Sequence, residues 1–235
     1  MKLIKNCVLC VGVHLIIFTL VNQSMGQSLI KWEDYLQNVG QKFISILQER
    51  EITGDGMPMR EFNATINQTL YDISAIGIAK FHSGFIAKID ASGILSTSYR
   101  SQVLEAFSNA YCYLTFDGVQ TVYDVDYEYD DFKRRGSVLT WYKQLQFEMK
   151  VERNHTTNEV KPTIRLYNTG SQNDYVVKVD PNNGYTQLTA KEIKRNIPFR
   201  QPIADSFQDW ADSWTDELAT ATAEYKFPEI CYYCP

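Results

Sequence analysis

The chain has 235 residues and a formal net charge of −5 at pH 7, with 23 basic and 28 acidic side chains. That length suits one domain with a sizeable core. The acidic balance argues against nucleic acid as a partner, because phosphate binding needs a basic patch, and the short basic segments at 133–135 and 191–195 are typical of solvated turns or helix faces.

The N-terminus has the pattern of a secretory signal peptide. A short basic start precedes an apolar run over 7–21, and small residues at 24 and 26 predict cleavage before Gln27. The run is short for a membrane span, which needs about 20 apolar residues. The sequence therefore predicts a signal peptide at 1–26 and a single secreted, extracellular domain at 27–235 without a stable membrane span. The alternative is that the N-terminal apolar run is not cleaved and anchors the protein in the membrane.

The first element after the leader is a predicted amphipathic helix over 28–51. Its apolar residues recur at spacings of three and four, and polar or acidic residues cover the other side. Glycine and proline within 54–58 end the helix, and a polar connector follows. The apolar face comprises Trp32, Leu36, Val39, Phe43, Ile46 and Leu47.

From about Leu70 to Leu188 the apolar residues alternate with period two, which predicts about six long antiparallel strands with one buried face. The clearest case is 145–152, where Phe147 and Met149 alternate with charged and amide side chains. Turn residues predict connections at 90–93, 117–118, 135–136, 168–170 and 181–184.

Within this region, Val122–Phe132 places an acid at every second position. A calcium loop of the EF-hand type needs glycine at its sixth and glutamate at its twelfth position, and counting from Asp124 these are tyrosine and arginine. Alternate carboxylates on a strand also lie roughly 6–7 Å apart, too far to surround one ion. We therefore predict that the acids face water and that no metal binds. The residues predicted to face the core are Tyr123, Val125, Tyr127 and Tyr129.

The last third returns to helical spacing and predicts one amphipathic helix of about 24 residues, between Pro202 and Pro228. Trp210, Trp214 and Leu218 lie on its apolar face. Strands between two long helices favour an α+β fold whose sheet packs on the helices through one face. A strongly curved antiparallel sheet would then wrap the long N- and C-terminal helices in a single elongated domain.

Cysteines and sequons predict two covalent features of a secreted chain. After the leader, cysteines remain at 112, 231 and 234, which permits one intramolecular bridge. We predict that Cys112 pairs with one of the C-terminal cysteines, Cys231 being the assigned partner. Three sequons predict N-glycosylation in surface loops, at Asn63, Asn67 and Asn154.

The sequence offers few groups for catalysis. The mature segment has two histidines, His82 and His155, with no nucleophile elbow, zinc-binding helix or glycine-rich phosphate loop. No nucleophile and base can be paired from the sequence. We therefore predict that the protein is not an enzyme and has no cofactor.

Several local patterns occur in a fixed order along the chain. They are the Gly-Asp-Gly-Met-Pro-Met turn at 54–59, Ser-Gly-Ile-Leu-Ser at 92–96 followed by Tyr99-Arg100, the strand 123–129, Gly136-Ser137-Val138, the strand 147–151 and the closing helix. Over about residues 28–228 this order resembles the arthropod group 7 mite-allergen proteins and their juvenile-hormone-binding and takeout relatives. They belong to the tubular lipid-binding superfamily that includes the bactericidal/permeability-increasing protein.

The resemblance implies a wrapped helix, a hydrophobic tunnel for a lipid-like ligand and no catalytic residues. The hormone-carrier branch usually has an N-terminal cysteine pair, and this chain has no cysteine between residues 27 and 111. The resemblance therefore leans toward the mite-allergen branch.

Together these features predict a secreted carrier that binds an apolar or amphipathic small molecule, such as a lipid or terpenoid, between helices and sheet. Burial of ligand hydrocarbon would stabilise the complex by about 0.8 kcal/mol per CH₂ group. The alternative is a protein-interaction or immune-recognition module with a solid core and an exposed apolar patch near 227–233. The predicted ligand-binding residues are Phe43, Ile46, Tyr123, Tyr127, Phe147, Met149, Trp210, Trp214 and Leu218.

Overall fold

The computed structural model describes residues 32–49, 57–70, 72–88, 94–95, 99–170, 175–195 and 197–228. The predicted signal peptide at 1–26 lies outside them. The helices are α1 (32–49), α2 (Gly184–Arg195), α3 (Ile197–Asp212) and α4 (Thr215–Ala223). The strands are β1 (Phe62–Leu70), β2 (Ile73–Lys88), β3 (Ile94–Leu95), β4 (Arg100–Val103), β5 (Phe107–Tyr129), β6 (Phe132–Asn154), β7 (Val160–Asn168) and β8 (Tyr175–Asp180).

The eight strands form one antiparallel sheet, so the predicted α+β class is confirmed. The predicted number of about six strands is too low, partly because β3 and β4 have only two and four residues. None of the helices in the described segments is both long and apolar enough to cross a membrane.

One long hairpin, β5–β6, forms the centre of the sheet. Each strand has 23 residues, which corresponds to roughly 75 Å of extended chain. The hairpin turns at Asp130-Asp131, between paired Tyr129 and Phe132. The turn predicted at 135–136 is wrong, since Gly136 pairs with Val125 inside the hairpin. Burial of aromatic side chains on one face sets this register, and a glycine inside the strand does not interrupt it.

Shorter strands flank the hairpin on both sides. β2 pairs with the second half of β5 and β1 pairs with β2, while β3 and β4 pair with the first half of β5. On the other side, β8 and β7 pair with successive parts of β6. The predicted polar connector with two sequons is therefore wrong: it forms β1, because Ala64 and Ile66 alternate with polar residues and pack into the core.

Both strands of the hairpin change their buried phase at the same place. Phe116 and Val119 are buried on β5, with Asp117 and Gly118 between them, and on β6 two consecutive exposed residues separate buried Tyr142 from Leu145. Gly118 has a φ of +68°, which glycine adopts without a steric penalty. The turn predicted at 117–118 is therefore wrong, and the glycine lies inside a continuous strand at the point where the buried phase changes, which we call the kink.

The connection predicted at 181–184 is present between β8 and α2, but α2 itself was not predicted. Asn183 caps this helix: its Oδ1 accepts from the Thr186 N–H at 3.1 Å, and its own N–H donates to Thr186 Oγ1 at 3.1 Å. This reciprocal pair resembles a capping box and is a signal that the sequence carries.

The predicted single C-terminal helix is two helices. α3 begins at Ile197, so Pro202 lies inside it rather than at its start. The helix stops near Ser213, whose Oγ donates to the Trp210 carbonyl at 2.6 Å, while Thr215 Oγ1 donates to the Asp212 carbonyl at 2.8 Å. These hydroxyl bonds satisfy carbonyls at the end of α3 and favour the break.

The helices contribute to one hydrophobic core with the inner face of the sheet. Phe227 follows α4 and packs on Trp32 and Tyr35 of α1, with ring centroids 4.8 and 5.4 Å apart. Lys42 of α1 and Glu224, which follows α4, form an ion pair of 3.0 Å. The exposed patch predicted near 227–233 is therefore wrong for Phe227, which is buried, and residues 229–233 lie outside the described part of the chain.

Candidate functional site

The interior between the helices and the sheet contains an aromatic cluster, which we define as Phe43, Phe116, Phe147, Trp210 and Trp214. Phe147 lies 5.6 Å from Trp210 and 5.2 Å from Trp214, measured between ring centroids. The two tryptophan rings are 4.3 Å apart, and Phe43 of α1 contacts Trp214 at 6.1 Å. The cluster therefore joins α1, the α3–α4 junction and the central hairpin.

The nine predicted ligand-binding residues all belong to the hydrophobic core, with exposures between 0 and 7%. Their burial is consistent with an apolar site, and the contact with a ligand stays a prediction. The residues are Phe43, Ile46, Tyr123, Tyr127, Phe147, Met149, Trp210, Trp214 and Leu218.

The two tyrosines of this set lie apart from the aromatic cluster. Tyr127 is eleven positions beyond Phe116 on β5, or roughly 35 Å of extended chain. It packs near Tyr129 and Phe132, with centroid distances of 5.9 and 6.1 Å. Tyr123 packs instead on Phe62 and Phe81 at 5.6 and 5.9 Å. The structure thus spreads the predicted residues along the inner face and does not gather them in one pocket.

Several buried polar atoms in this interior have no hydrogen-bond partner within the described segments. They include the indole N–H groups of Trp210 and Trp214, and both residues are 1% exposed. A buried donor without a partner costs about 1–3 kcal/mol. Further such atoms are the hydroxyl oxygens of Tyr35, Thr121 and Tyr127.

Burial also keeps the interior tyrosines protonated. It raises the pKa of Tyr129 to about 12, although the hydrogen bond with Thr189 opposes the shift, and it raises the pKa values of Tyr35, Tyr123 and Tyr127 further. The Tyr123 hydroxyl donates to the Arg60 carbonyl at 3.2 Å, and the Tyr129 hydroxyl bonds to Thr189 Oγ1 at 2.5 Å. These phenols are therefore neutral groups that can donate or accept a hydrogen bond.

The part of β5 with alternating acids, residues 122–129, which we call the acidic strand, has the predicted orientation. Tyr123, Val125, Tyr127 and Tyr129 are buried, whereas Asp124 and Glu128 are exposed. The exposed side also contains cross-strand pairs that the sequence did not reveal. Lys80 lies 2.6 Å from Glu128, and Asp126 lies 3.3 Å from His82 and 3.4 Å from Arg135. Three or more potential metal ligands do not cluster anywhere in the described segments.

The structure brings together a serine and a histidine that the sequence analysis did not pair. Ser108 Oγ is 2.5 Å from His155 Nε2, and His155 Nδ1 is 2.9 Å from the Glu105 carbonyl oxygen. Ser108 is completely buried, so this arrangement connects the start of β5 to the end of β6 and does not present a nucleophile to substrate. Only the strand register reveals the pair, since the two residues are 47 positions apart.

Cys112 forms no disulfide within the described segments, and the bridge to Cys231 stays a prediction because Cys231 lies outside them. Cys112 is a free thiol on the inner face of β5, opposite Met149, and it is fully buried. Burial raises the pKa of the Cys112 thiol to about 12, which disfavours the thiolate that disulfide exchange requires. Cys231 and Cys234 lie outside the described residues.

The asparagines of the three sequons are exposed. Asn63 and Asn67 lie on strand β1 and not in a loop, and Asn154 is the last residue of β6. The Asn154 Oδ1 accepts hydrogen bonds from the backbone N–H groups of Thr156 and Thr157 at 2.8 and 3.1 Å. Glycosylation itself stays a prediction.

Comparison with known proteins finds similarity at the level of structure but not of sequence. No protein-family model and no curated protein matches the sequence. Among solved structures, the chain is similar to the crystal structure of a lipopolysaccharide binding protein, with a TM-score of 0.44 and 14% identity. The match covers 75% of this chain and 37% of that chain. The chain thus spans little more than a third of that protein's length, and a similarity of this size does not define a family.

Proposed function

We propose that the protein is a carrier for an apolar or amphipathic small molecule, held between the helices and the inner face of the sheet. In this proposal the sheet curves around the long helices in one elongated domain of residues 27–235. The chain is secreted after cleavage before Gln27, a step that rests on the N-terminal sequence alone. The protein has no catalytic role.

The observation that carries the proposal is the pair of buried indole N–H groups at Trp210 and Trp214, which lack partners within the described segments. They lie beside Phe43 and Phe147 in an otherwise apolar environment. A ligand with a hydrocarbon part and an oxygen acceptor would satisfy the donors and gain from apolar burial at the same time. A purely structural core gains nothing from unsatisfied donors.

The test is a fluorescence titration of the purified full chain with cis-parinaric acid, which has an apolar tail and a carboxylate. We expect saturable enhancement of the probe fluorescence. Replacing both tryptophans (Trp210→Phe with Trp214→Phe) should keep most of the ring packing but remove both N–H groups. We expect weaker binding, by about fivefold for each donor that contacts the ligand, as for a hydrogen bond of about 1 kcal/mol.

The matched control is Trp141→Phe. Trp141 lies on the opposite face of the sheet and is 39% exposed, so this variant should bind the probe like the unmodified protein. Absence of saturable binding to the unmodified protein would contradict the carrier function.

A second function, a protein-interaction module, is favoured by a different observation. The rings of the aromatic cluster contact one another, as in a solid core. The outer face of the sheet also exposes Phe85, Trp141 and Val176. Trp141 and Val176 are paired on β6 and β8, while Phe85 lies on β2, with β5 between β2 and β6. The same titration separates the two functions, because an interaction module would not bind the probe at its interior.

A further inference from the structure

A polar cavity of about 210 Å³ opens on the outer face of the sheet, the face turned away from the helices. It differs from the apolar interior because all the side chains that line it are polar. The cavity is lined by Asp117, Lys143, Gln144, Gln146, Asn168 and Gly170.

The kink in the central hairpin explains why a cavity occurs at this point. Asp117 and Gly118 on β5, and Lys143 and Gln144 on β6, are consecutive residues that are not part of the buried face. Asp117 pairs with Gln144 in the register. Gly118 contributes no side chain, so the outer surface is left open between the polar side chains around it. Such irregularities in a sheet often redirect side chains toward a functional site.

The lining combines three amides with one acid and one base. In the described part of the chain, Asp117 and Lys143 form no ion pair with each other or with other groups. Gln146 Nε2 donates to Thr115 Oγ1 at 3.4 Å, and the Gly170 N–H donates to Asn168 Oδ1 at 2.8 Å. These bonds orient two of the amides. An amide side chain offers both hydrogen-bond donors and an acceptor. It therefore suits a ligand whose groups can also both donate and accept hydrogen bonds.

An exposed tryptophan lies beside this lining. A Cβ atom placed on Gly118 would be 3.6 Å from Trp141 Nε1, so the indole lies next to the glycine that follows Asp117. Trp141 is 39% exposed although it is the largest apolar side chain on this face. An indole surface next to several amides and a carboxylate provides an apolar plane for C–H groups and polar atoms for hydroxyl groups.

We propose that this cavity binds one sugar residue of a neutral carbohydrate. The two opposite charges leave the lining without net charge, which argues against a phosphate or a metal ion. The charged side chains of Asp117 and Lys143 are both exposed. Recognition of an amino acid would require these two side chains to be desolvated together with the charged groups of that amino acid. A sugar ring has hydroxyl groups for the amides and Asp117, and a C–H face for Trp141. The cavity volume suits one ring and excludes a long chain.

The experiment is saturation-transfer NMR on the full chain with the methyl glycosides of glucose, galactose, mannose and N-acetylglucosamine at millimolar concentration. We expect at least one glycoside to show saturable transfer. Trp141→Ala should abolish this signal, and Gln144→Ala should weaken binding by about fivefold, as for one lost hydrogen bond.

Phe85→Ala is the control, because Phe85 is an equally exposed aromatic residue on the same face but not part of the cavity lining. It should leave glycoside binding unchanged. Each variant is first compared with the unmodified protein by circular dichroism and by urea unfolding, neither of which depends on a binding function. The proposal is overturned if none of the four glycosides binds, or if Trp141→Ala and Gln144→Ala, folded by those criteria, bind as the unmodified protein does.

Discussion

Individual side chains in the acidic strand have different surroundings on the two faces of the sheet. The tyrosines between the acids point into the core, and the acids contact basic residues of neighbouring strands, as Asp126 does with His82 and Arg135. The alternation predicted the first feature because a strand turns successive side chains to opposite faces. The ion pairs depend on strand register, which the alternation does not encode.

Another interaction at this scale connects the start of β1 to α3. Arg60 donates to both carboxylate oxygens of Asp209, with Nε–Oδ2 and Nη2–Oδ1 distances of 2.5 and 2.6 Å, and to Asp205 at 3.2 Å. The hydrogen bonds from Arg60, followed by its charge, lower the pKa of Asp209. The fork geometry is the favourable one for a guanidinium and a carboxylate.

We expect this carboxylate to make folding stability depend on pH. Because its pKa is lower in the folded state than in the unfolded state, the contribution is complete above the unfolded pKa and is lost as pH falls through the folded pKa. Asp209→Asn should therefore lower the free energy of unfolding slightly at pH 7 and have a smaller effect in acid. The effect is small because both groups are exposed. Urea unfolding at several pH values measures it, with Asp131→Asn in the exposed hairpin turn as the control. An equal loss at all pH values would contradict it.

At the scale of elements, two interruptions decide the architecture. The kink at Gly118 changes which residues of the central hairpin face the core, and the hydroxyl bonds of Ser213 and Thr215 divide the last helix. Apolar residues continue on both sides of each interruption, so the sequence pattern does not mark the break. The periodic pattern therefore located the helical and strand regions but predicted a turn at the kink and a single helix at the end.

The kink predicts a specific result for substitutions at Gly118. A Cβ there meets only Trp141 Nε1, at 3.6 Å, so space is available and the cost comes from the backbone φ of +68°. We expect Gly118→Ala to destabilise the fold by about 1 kcal/mol, and Gly118→Asn to cost less, because asparagine tolerates this conformation better. Chemical denaturation of both variants checks this order. An alanine variant as stable as the parent would show that the strand is not held in this conformation.

At the scale of the whole molecule, one sheet face and the helices enclose an interior that joins distant parts of the chain. The sequence predicted the burial of residues in the elements that it located, such as the nine predicted ligand-binding residues, because burial follows from periodicity within each element. It did not predict that Tyr127 lies far along β5 from the aromatic cluster, or that the polar cavity on the outer face and the Ser108–His155 pair form. Those features depend on pairing between elements, such as Asp117 with Gln144 and Ser108 with Arg153. Cys112 shows the same limit, since a cysteine count does not reveal which face of a strand contains the thiol.

The most direct test of the carrier function is to compare native and denaturing mass spectra of the protein purified from culture medium. We predict a native mass that exceeds the polypeptide and its glycans by that of a small molecule, which denaturation releases and organic solvent extracts. Equal native and denatured masses, from protein that also fails to take up added cis-parinaric acid, would contradict a carrier and leave the interior as a solid core.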